Sequence, residues 1–160
     1  MQNQSPTVGI REAVPADLPE ITRIERAVAT VAHWSNARYG EIFSRTDVAS
    51  YFTLVAEQRP SASVIGFVVA NSIGAEWEVQ NLIVDENCRR MGIGSLLVSK
   101  LLAKARLSAA SKMLLEVRAS NGPALGFYRR CGFIVTGRRA KYYAQPEEDA
   151  ILMTLTFSID

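Results

Sequence analysis

The stretch Val79-Gln80-Asn81-Leu82-Ile83-Val84 reads as an apolar strand. It runs into the basic bend Arg89-Arg90-Met91-Gly92-Ile93-Gly94-Ser95, and a long amphipathic segment follows at once. A strand, a double-glycine bend and a helix in direct succession point to an α/β architecture. The bend also constrains chemistry, because a helix N-terminus leaves backbone N–H groups unpaired and carries partial positive charge. Gly92 and Gly94 let a ligand approach those amides, and Arg89 and Arg90 add charge-assisted donors. Residues 89–95 are therefore predicted to hold a phosphate or pyrophosphate.

Two familiar phosphate loops do not fit. The Walker pattern needs a Lys before its Ser or Thr, whereas Ser95 follows Gly94 directly. The dinucleotide fingerprint needs a third glycine, and position 97 is Leu. What remains is Arg89-x-x-Gly92-x-Gly94. Downstream, Leu114-Leu115-Glu116-Val117-Arg118-Ala119-Ser120-Asn121 reads as a strand ending in a helix cap. Residues 124–133 then read as a short helix containing Phe127 and Tyr128, closed by Gly132 and re-entering a strand at Phe133.

The rest of the chain extends this pattern. Residues 8–12 form a short first strand. Pro15-Ala16-Asp17 opens a helix, with Asp17 as its cap and Leu18, Ile21, Ile24 and Val28 as an apolar stripe. Ser35 caps a second helix over residues 37–44. Residues 51–56 and 64–73 are strand-like around a polar turn containing Pro60, and residues 76–84 lead into the glycine bend. The helix over residues 92–109 buries Ile93, Leu97, Leu101 and Ala105. Residues 113–118 alternate, with Met113, Leu115 and Val117 facing the core and Glu116 facing a cleft or solvent. Asn121 and Pro123 start the following helix. Residues 133–143 and 150–157 make a final strand pair, joined by an acidic segment over 145–149. The expected fold is a single α/β domain over residues 1–160, with a mixed, twisted sheet of six to seven strands flanked by four helices.

Composition removes several function classes. A chain of 160 residues with 48% hydrophobic and 21% charged residues suits one globular domain. A net charge of +2 argues against broad nucleic-acid or membrane binding. The apolar run over residues 64–70 is too short to cross a bilayer, and no secretory leader is recognisable, so a cytoplasmic protein is expected. Cys88 and Cys131 match neither a zinc site nor a disulfide framework, and no metal is expected. Neither is read as a nucleophile, although the arginines beside Cys88 could lower its pKa.

The bend and the downstream block together resemble the GNAT superfamily of acetyl-coenzyme A-dependent N-acetyltransferases. That superfamily combines an Arg/Gln-x-x-Gly-x-Gly/Ala loop with a later strand, an Asn, a helical Tyr and Gly-Phe. Leu-Glu-Val-Arg-Ala-Ser-Asn over residues 115–121, Arg138-Arg139 before Tyr142-Tyr143, and Glu148-Asp149-Ala150-Ile151-Leu152-Met153 resemble the RimI-like, ribosomal-protein-alanine branch. Before residue 75 the likeness rests on Trp34-Ser35, where the family has Pro before the Trp and this chain has His33.

The resemblance implies that Arg89, Arg90, Met91, Gly92, Ile93, Gly94 and Ser95 hold the pyrophosphate of acetyl-CoA. Leu82, Ile83 and Val84 would offer backbone groups to the pantetheine arm, which lies where two strands splay apart, and Asn121 would contact the cofactor chain. Glu116 is implied as general base, acting through water, and Tyr128 as general acid. The alternatives are a strand carboxylate paired with Arg118 and a core aromatic, respectively. Phe127 is assigned to packing. Trp34, Tyr142 and Tyr143 are candidates for lining a groove for a peptide end, with core packing as the alternative. His33 is read as a surface or loop residue. Glu147-Glu148-Asp149 could attract a basic peptide or be an ordinary charged turn.

The expected reaction is acetyl transfer to the N-terminal α-amine of a protein, such as a ribosomal protein beginning with Ala. Alternatives are a small-molecule amine or lysine acceptor, or a non-catalytic coenzyme A-binding module. No direct nucleic-acid partner is expected, and the chain is expected to be a monomer or weak dimer.

Overall fold

The computed structural model describes residues 6–28, 33–43 and 49–158. Among them the elements run β1 (Thr7–Glu12), α1 (Leu18–Arg26), α2 (Asn36–Glu41), β2 (Ala49–Arg59), β3 (Ser63–Ile73), β4 (Glu76–Val84), α3 (Ile93–Leu107), β5 (Lys112–Arg118), α4 (Gly122–Arg130), β6 (Ile134–Ala144) and β7 (Glu147–Thr156). The strands form one sheet ordered β1-β2-β3-β4-β5-β7-β6, antiparallel throughout except for the parallel β4–β5 pair. This is the expected single α/β unit, with seven strands and four helices among the described residues. No described helix is long and apolar enough to cross a membrane.

Two apolar layers sandwich the sheet. α3 packs on one face through Ile93, Leu97, Val98, Leu101 and Ala105, all buried, against residues including Val68 and Ala70. α1 and α2 cover the other face, where Ile21, Ile24, Tyr39 and Ile42 meet Phe67, Val69 and Ile83. Residues 64–70 are thus buried on both faces, which is why the strand reads as an unbroken apolar run rather than an alternation.

Several boundaries move. β2 and β7 extend beyond the expected strands because ladder hydrogen bonds recruit polar residues that propensity leaves out. The second helix ends at Glu41, and Ser44 lies outside the described residues. Asp17 does not cap α1 with its side chain. A short 3₁₀ turn (Pro15–Asp17) redirects it, so its carboxylate accepts from Val14 N at 2.8 Å and from Arg11 Nη1 and Nη2 at 2.8 and 2.9 Å. Arg11 also donates to Glu57 at 2.7 Å, tying β1, β2 and the start of α1 together.

The acidic segment is a correction as well. Glu147, Glu148 and Asp149 lie in β7, not in a turn. Glu148 accepts from Arg118 and the Ser120 amide, while Asp149 accepts from Arg138 at 2.6 Å and the Lys141 amide at 2.9 Å. Lys141 Nζ lies 3.7 Å from Glu147. These carboxylates are committed to internal partners.

Candidate active site

The phosphate loop has the geometry that its glycines require. Arg90 and Gly92 take left-handed φ values of 63° and 75°. That conformation is costly for a residue with a Cβ, and Gly92 has open space around it, so its role is conformational. Gly94 is different: a Cβ there would lie 3.3 Å from Phe127 Cζ, so its role is steric. Gly92 also stands at the N-cap of α3 and offers no side-chain acceptor, leaving the first-turn amides to be satisfied from outside.

A groove of about 280 Å³ opens at this point, lined by Val84, Cys88, Arg89, Arg90, Gly92, Ile93, Gly94, Ser95 and Phe127. Cationic side chains, open helix amides and a glycine floor suit a diphosphate. Met91 is 59% exposed and does not line the groove. Phe127, read as packing, forms part of the wall. Cys88 also lines it, and its thiol is raised above the usual range by burial and then by Asp85, against the expected lowering. Cys131 is raised by burial, and both cysteines are free.

The groove leads into a gap in the sheet. β4 and β5 pair only at Glu76↔Lys112, Trp77↔Met113 and Glu78↔Leu114. Beyond that rung β4 stays with β3, where Leu82, Ile83 and Val84 face Val68, Phe67 and Gly66. β5 instead continues with β7 from Leu115↔Met153 to Arg118↔Ala150. Among the described residues the β5-facing edge of Leu82, Ile83 and Val84 thus has no strand partner, and an extended amide-bearing chain fits there by strand addition. An extra residue at Gln80, between Val79↔Ala70 and Asn81↔Val69, bulges β4 where the gap begins.

Charged side chains from several elements converge on the gap. Glu116 on β5 is 15% exposed, and its Oε1 lies 3.2 Å from Arg139 Nε of β6. Arg118 is committed elsewhere, to Glu148 at 3.3 Å and to the carbonyls of Gln145 and Pro146, so the expected Glu116–Arg118 alternative does not form. Tyr142 reaches Glu116 because β6 bulges between Arg139↔Ala150 and Tyr143↔Glu148, with Lys141 at φ 52°. Hydrogen bonding to Glu116 holds the Tyr142 phenol above its usual range. The Tyr143 ring packs edge-on to Tyr142 and lies under the Arg118 guanidinium at 4.2 Å.

The sequence reading missed Glu78. It sits at the last paired rung and is raised by burial first and by the charge of Glu116 second. Two carboxylates therefore lie close enough to interact where the strands part. Its signal was a carboxylate between Trp77 and Val79, but its proximity to Glu116 exists only once β4 and β5 have paired. Trp34 reaches the same region through Arg38, whose guanidinium lies 4.1 Å above its ring and donates to Gln80 at 3.2 Å.

Asn121 caps α4, accepting from Ala124 N at 3.1 Å. Tyr128 is the buried residue of α4, packed edge-on to Phe127 and Phe133. Burial raises its phenol far above the usual range, so it stays protonated at any working pH. It joins the core and also sits beside the groove wall, so the packing and catalytic readings are compatible. His33 is half-exposed as expected, yet its Nδ1 lies 3.2 Å from the buried carboxylate of Glu25.

Residues 18–133 match the family model described as the Acetyltransferase (GNAT) family. The ribosomal protein bS18-alanine N-acetyltransferase of Salmonella typhimurium is 33% identical over 149 residues, covering 89% of this chain and 93% of that protein. The crystal structure of the ribosomal-protein-S18-alanine N-acetyltransferase from Escherichia coli superposes with a TM-score of 0.85 at 26% identity, covering 96% of both chains. Arabidopsis thaliana NAA60 in complex with acetyl-CoA shares the fold at a TM-score of 0.84 and 21% identity, over 94% of this chain and 99% of that one.

Proposed function

The chain belongs to the acetyltransferase (GNAT) family, an acetyl-coenzyme A-dependent N-acetyltransferase, and on that premise we propose that its acceptor is the N-terminal α-amine of a protein, a bS18-like ribosomal protein beginning with Ala. The observation that carries this reading is the gap between β4 and β5, with the phosphate groove at one end and the Glu116–Glu78 pair on its walls. The likeness to the Salmonella typhimurium enzyme along most of both chains supports the choice of acceptor. A cytoplasmic setting and a monomer or weak dimer complete the reading.

The residues divide the work. Bound acetyl-CoA supplies the acetyl group as a thioester. Arg89, Arg90 and the first-turn amides of α3 hold its diphosphate, Asn121 contacts the chain beyond it, and the free edge of Leu82, Ile83 and Val84 orients the arm. An amide of Ile83 or Val84 donates to the carbonyl oxygen as charge develops. Holding both reactants in one gap provides much of the acceleration.

Glu116 takes the acceptor's proton through water. An α-amine with a pKa near 7.7–8.0 is roughly a tenth neutral at pH 7, so modest base assistance suffices. Tyr128 enters the reaction protonated and donates that proton to the sulfur as the C–S bond breaks. Trp34 and Tyr142 flank the acceptor's first residues.

A second reading of the base has its own support. Arg139 and Tyr142 already engage Glu116, whereas burial and the nearby Glu116 charge raise the Glu78 carboxyl above its usual range, the direction that makes a carboxylate a better base. Glu78→Gln and Glu116→Gln separate the two, because the true base is the one whose loss flattens the pH–rate profile.

The acceptor is tested with acetyl-CoA and an Ala-starting peptide, against the same peptide blocked at its N-terminus and carrying a lysine. Thiol release is expected only with the free N-terminus. Equal release with the blocked peptide overturns the α-amine reading in favour of lysine, and coenzyme A binding without release from either peptide favours a binding module. Tyr128→Phe is expected to keep acetyl-CoA affinity and slow turnover; undiminished turnover removes Tyr128 as the acid.

A further inference from the structure

The phosphate-binding bend asks the chain for two left-handed residues within three positions, Arg90 at φ 63° and Gly92 at φ 75°. A free loop populates such a shape sparsely, so the flanks must hold it. The flank after the bend is anchored by burial, because Ile93 and Leu97 at the start of α3 are core residues. The flank before it is built differently. Glu86 and Asn87, in the 3₁₀ turn Glu86–Cys88 that precedes Arg89, are exposed.

Hydrogen bonds anchor that flank instead, and they converge on Asp85. Its backbone N–H donates to the Ile65 carbonyl of β3 at 2.8 Å, and its carbonyl accepts from the Cys88 N–H at 2.9 Å. Its Oδ1 accepts from the Asn87 backbone N–H at 3.1 Å and from Asn87 Nδ2 at 3.4 Å, so the side chain caps the turn. Its Oδ2 accepts from Arg23 Nη1 of α1 at 3.3 Å. Arg23 is oriented in turn by Glu20, which accepts from its Nε and Nη2 at 3.2 and 3.0 Å. A recess of about 130 Å³ lies here, bordered by Ala27 and Val28 just after α1 and by Glu86 and Asn87 of the turn. The Arg23–Asp85 ion pair joins helix and turn beside this open space.

We propose that Asp85 is a positioning residue for the cofactor: it caps the turn before the bend, fixes the direction in which the chain enters Arg89 and Arg90, and so keeps the loop in its diphosphate-binding shape. Asp85 does not line the groove and acts through the loop. Arg23 steadies the carboxylate from α1, a smaller contribution because its side chain is 52% exposed. The inference rests on the reading of residues 89–95 as the seat of the diphosphate. Apparent affinity falls with the fraction of molecules whose loop has the binding shape, so a lost cap is felt as a raised KM for acetyl-CoA.

The test is steady-state kinetics of the full chain with an Ala-starting peptide and two donors. One is acetyl-CoA; the other is S-acetylpantetheine, which lacks the diphosphate and everything beyond it. Asp85→Ala is expected to raise the acetyl-CoA KM about fivefold, the scale of a lost cap, at unchanged kcat and peptide KM. Its kcat/KM with S-acetylpantetheine should match wild type, which also shows the variant to be folded. Asp85→Asn keeps an oxygen that accepts from Asn87 and should stay within about twofold of wild type, as should Arg23→Gln.

Titration calorimetry with coenzyme A and with pantetheine gives a readout that needs no acceptor. Coenzyme A should bind Asp85→Ala about fivefold more weakly than wild type, with Asp85→Asn restoring the affinity. Unchanged coenzyme A affinity in Asp85→Ala, equal losses for both donors, or a loss that Asp85→Asn does not relieve overturns the inference and leaves the diphosphate seat standing. Equal affinity of wild type for coenzyme A and pantetheine removes the diphosphate seat itself, and the inference falls with it.

Discussion

The phosphate groove and the acceptor cleft open on the same gap between β4 and β5, but they are made differently. Eight of the nine groove-lining residues come from residues 84–95, with Phe127 as the exception, and the groove works mainly through backbone amides and the absence of side chains. The acceptor cleft takes Glu78 from β4, Glu116 from β5, and Arg139 and Tyr142 from β6, and it works through side chains. A backbone site depends on local conformation, so its weak points are glycines. A side-chain site depends on register, so its weak points are charges and bulges.

The largest expected effect lies in the cleft. Glu116→Gln should lower kcat/KM for an Ala-starting peptide by about 10² or more, the scale of lost general-base assistance, while calorimetry finds acetyl-CoA affinity unchanged. Equal losses in both would mean the two regions are one site energetically. The counterpart in the groove is Gly94→Val, which drives a branched side chain against Phe127. Overpacking on the order of 1–3 kcal/mol should weaken acetyl-CoA binding about ten- to a hundredfold and leave peptide KM nearly unchanged.

A smaller effect is expected from Tyr142→Phe. Loss of one hydrogen bond to Glu116, about 1 kcal/mol, should raise peptide KM roughly fivefold without lowering the melting temperature, because Tyr142 is half-exposed. An unchanged peptide KM would remove the β6 bulge from the cleft.

The smallest effect concerns the β6–β7 pair that carries the bulge. The Ser120 hydroxyl and amide and Arg118 hold the Glu148 carboxyl below its usual range, and the Lys141 amide and Arg138 do the same for Asp149. Both are depressed on folding, so their stabilisation is present above the unfolded values of about 4.3 and 3.9 and is lost as pH falls through the folded ones. Asp149→Asn should therefore lower the melting temperature slightly at pH 6 and reduce its further fall below about pH 4. A melting profile identical to wild type would detach Asp149 from the bulge.

Legibility in the sequence follows the same division. The groove could be read because Arg89, Gly92 and Gly94 act within one turn of chain, and left-handed φ at Gly92 is a local requirement. Phe127 was assigned to packing alone because its contact with Gly94 crosses from α4 to α3. Glu116 could be placed on the outer face from the alternation of β5, but its pairing with Arg139 could not, since residue separation along the chain says nothing of a bulge in β6. Asp17 and the acidic residues of β7 were misjudged for a related reason. Capping and turn preferences are local, and distant arginines outcompeted them.

The amino-acid sequence by itself determined the element order, the core faces and the phosphate-binding bend, because periodicity and φ preferences act over a few residues. Only the tertiary structure decided where β4 parts from β5, which cation meets Glu116, that Glu78 comes near it, and that buried Glu25 reaches His33. Those facts depend on strand register and on the desolvation of charges, which exist only once distant segments have packed.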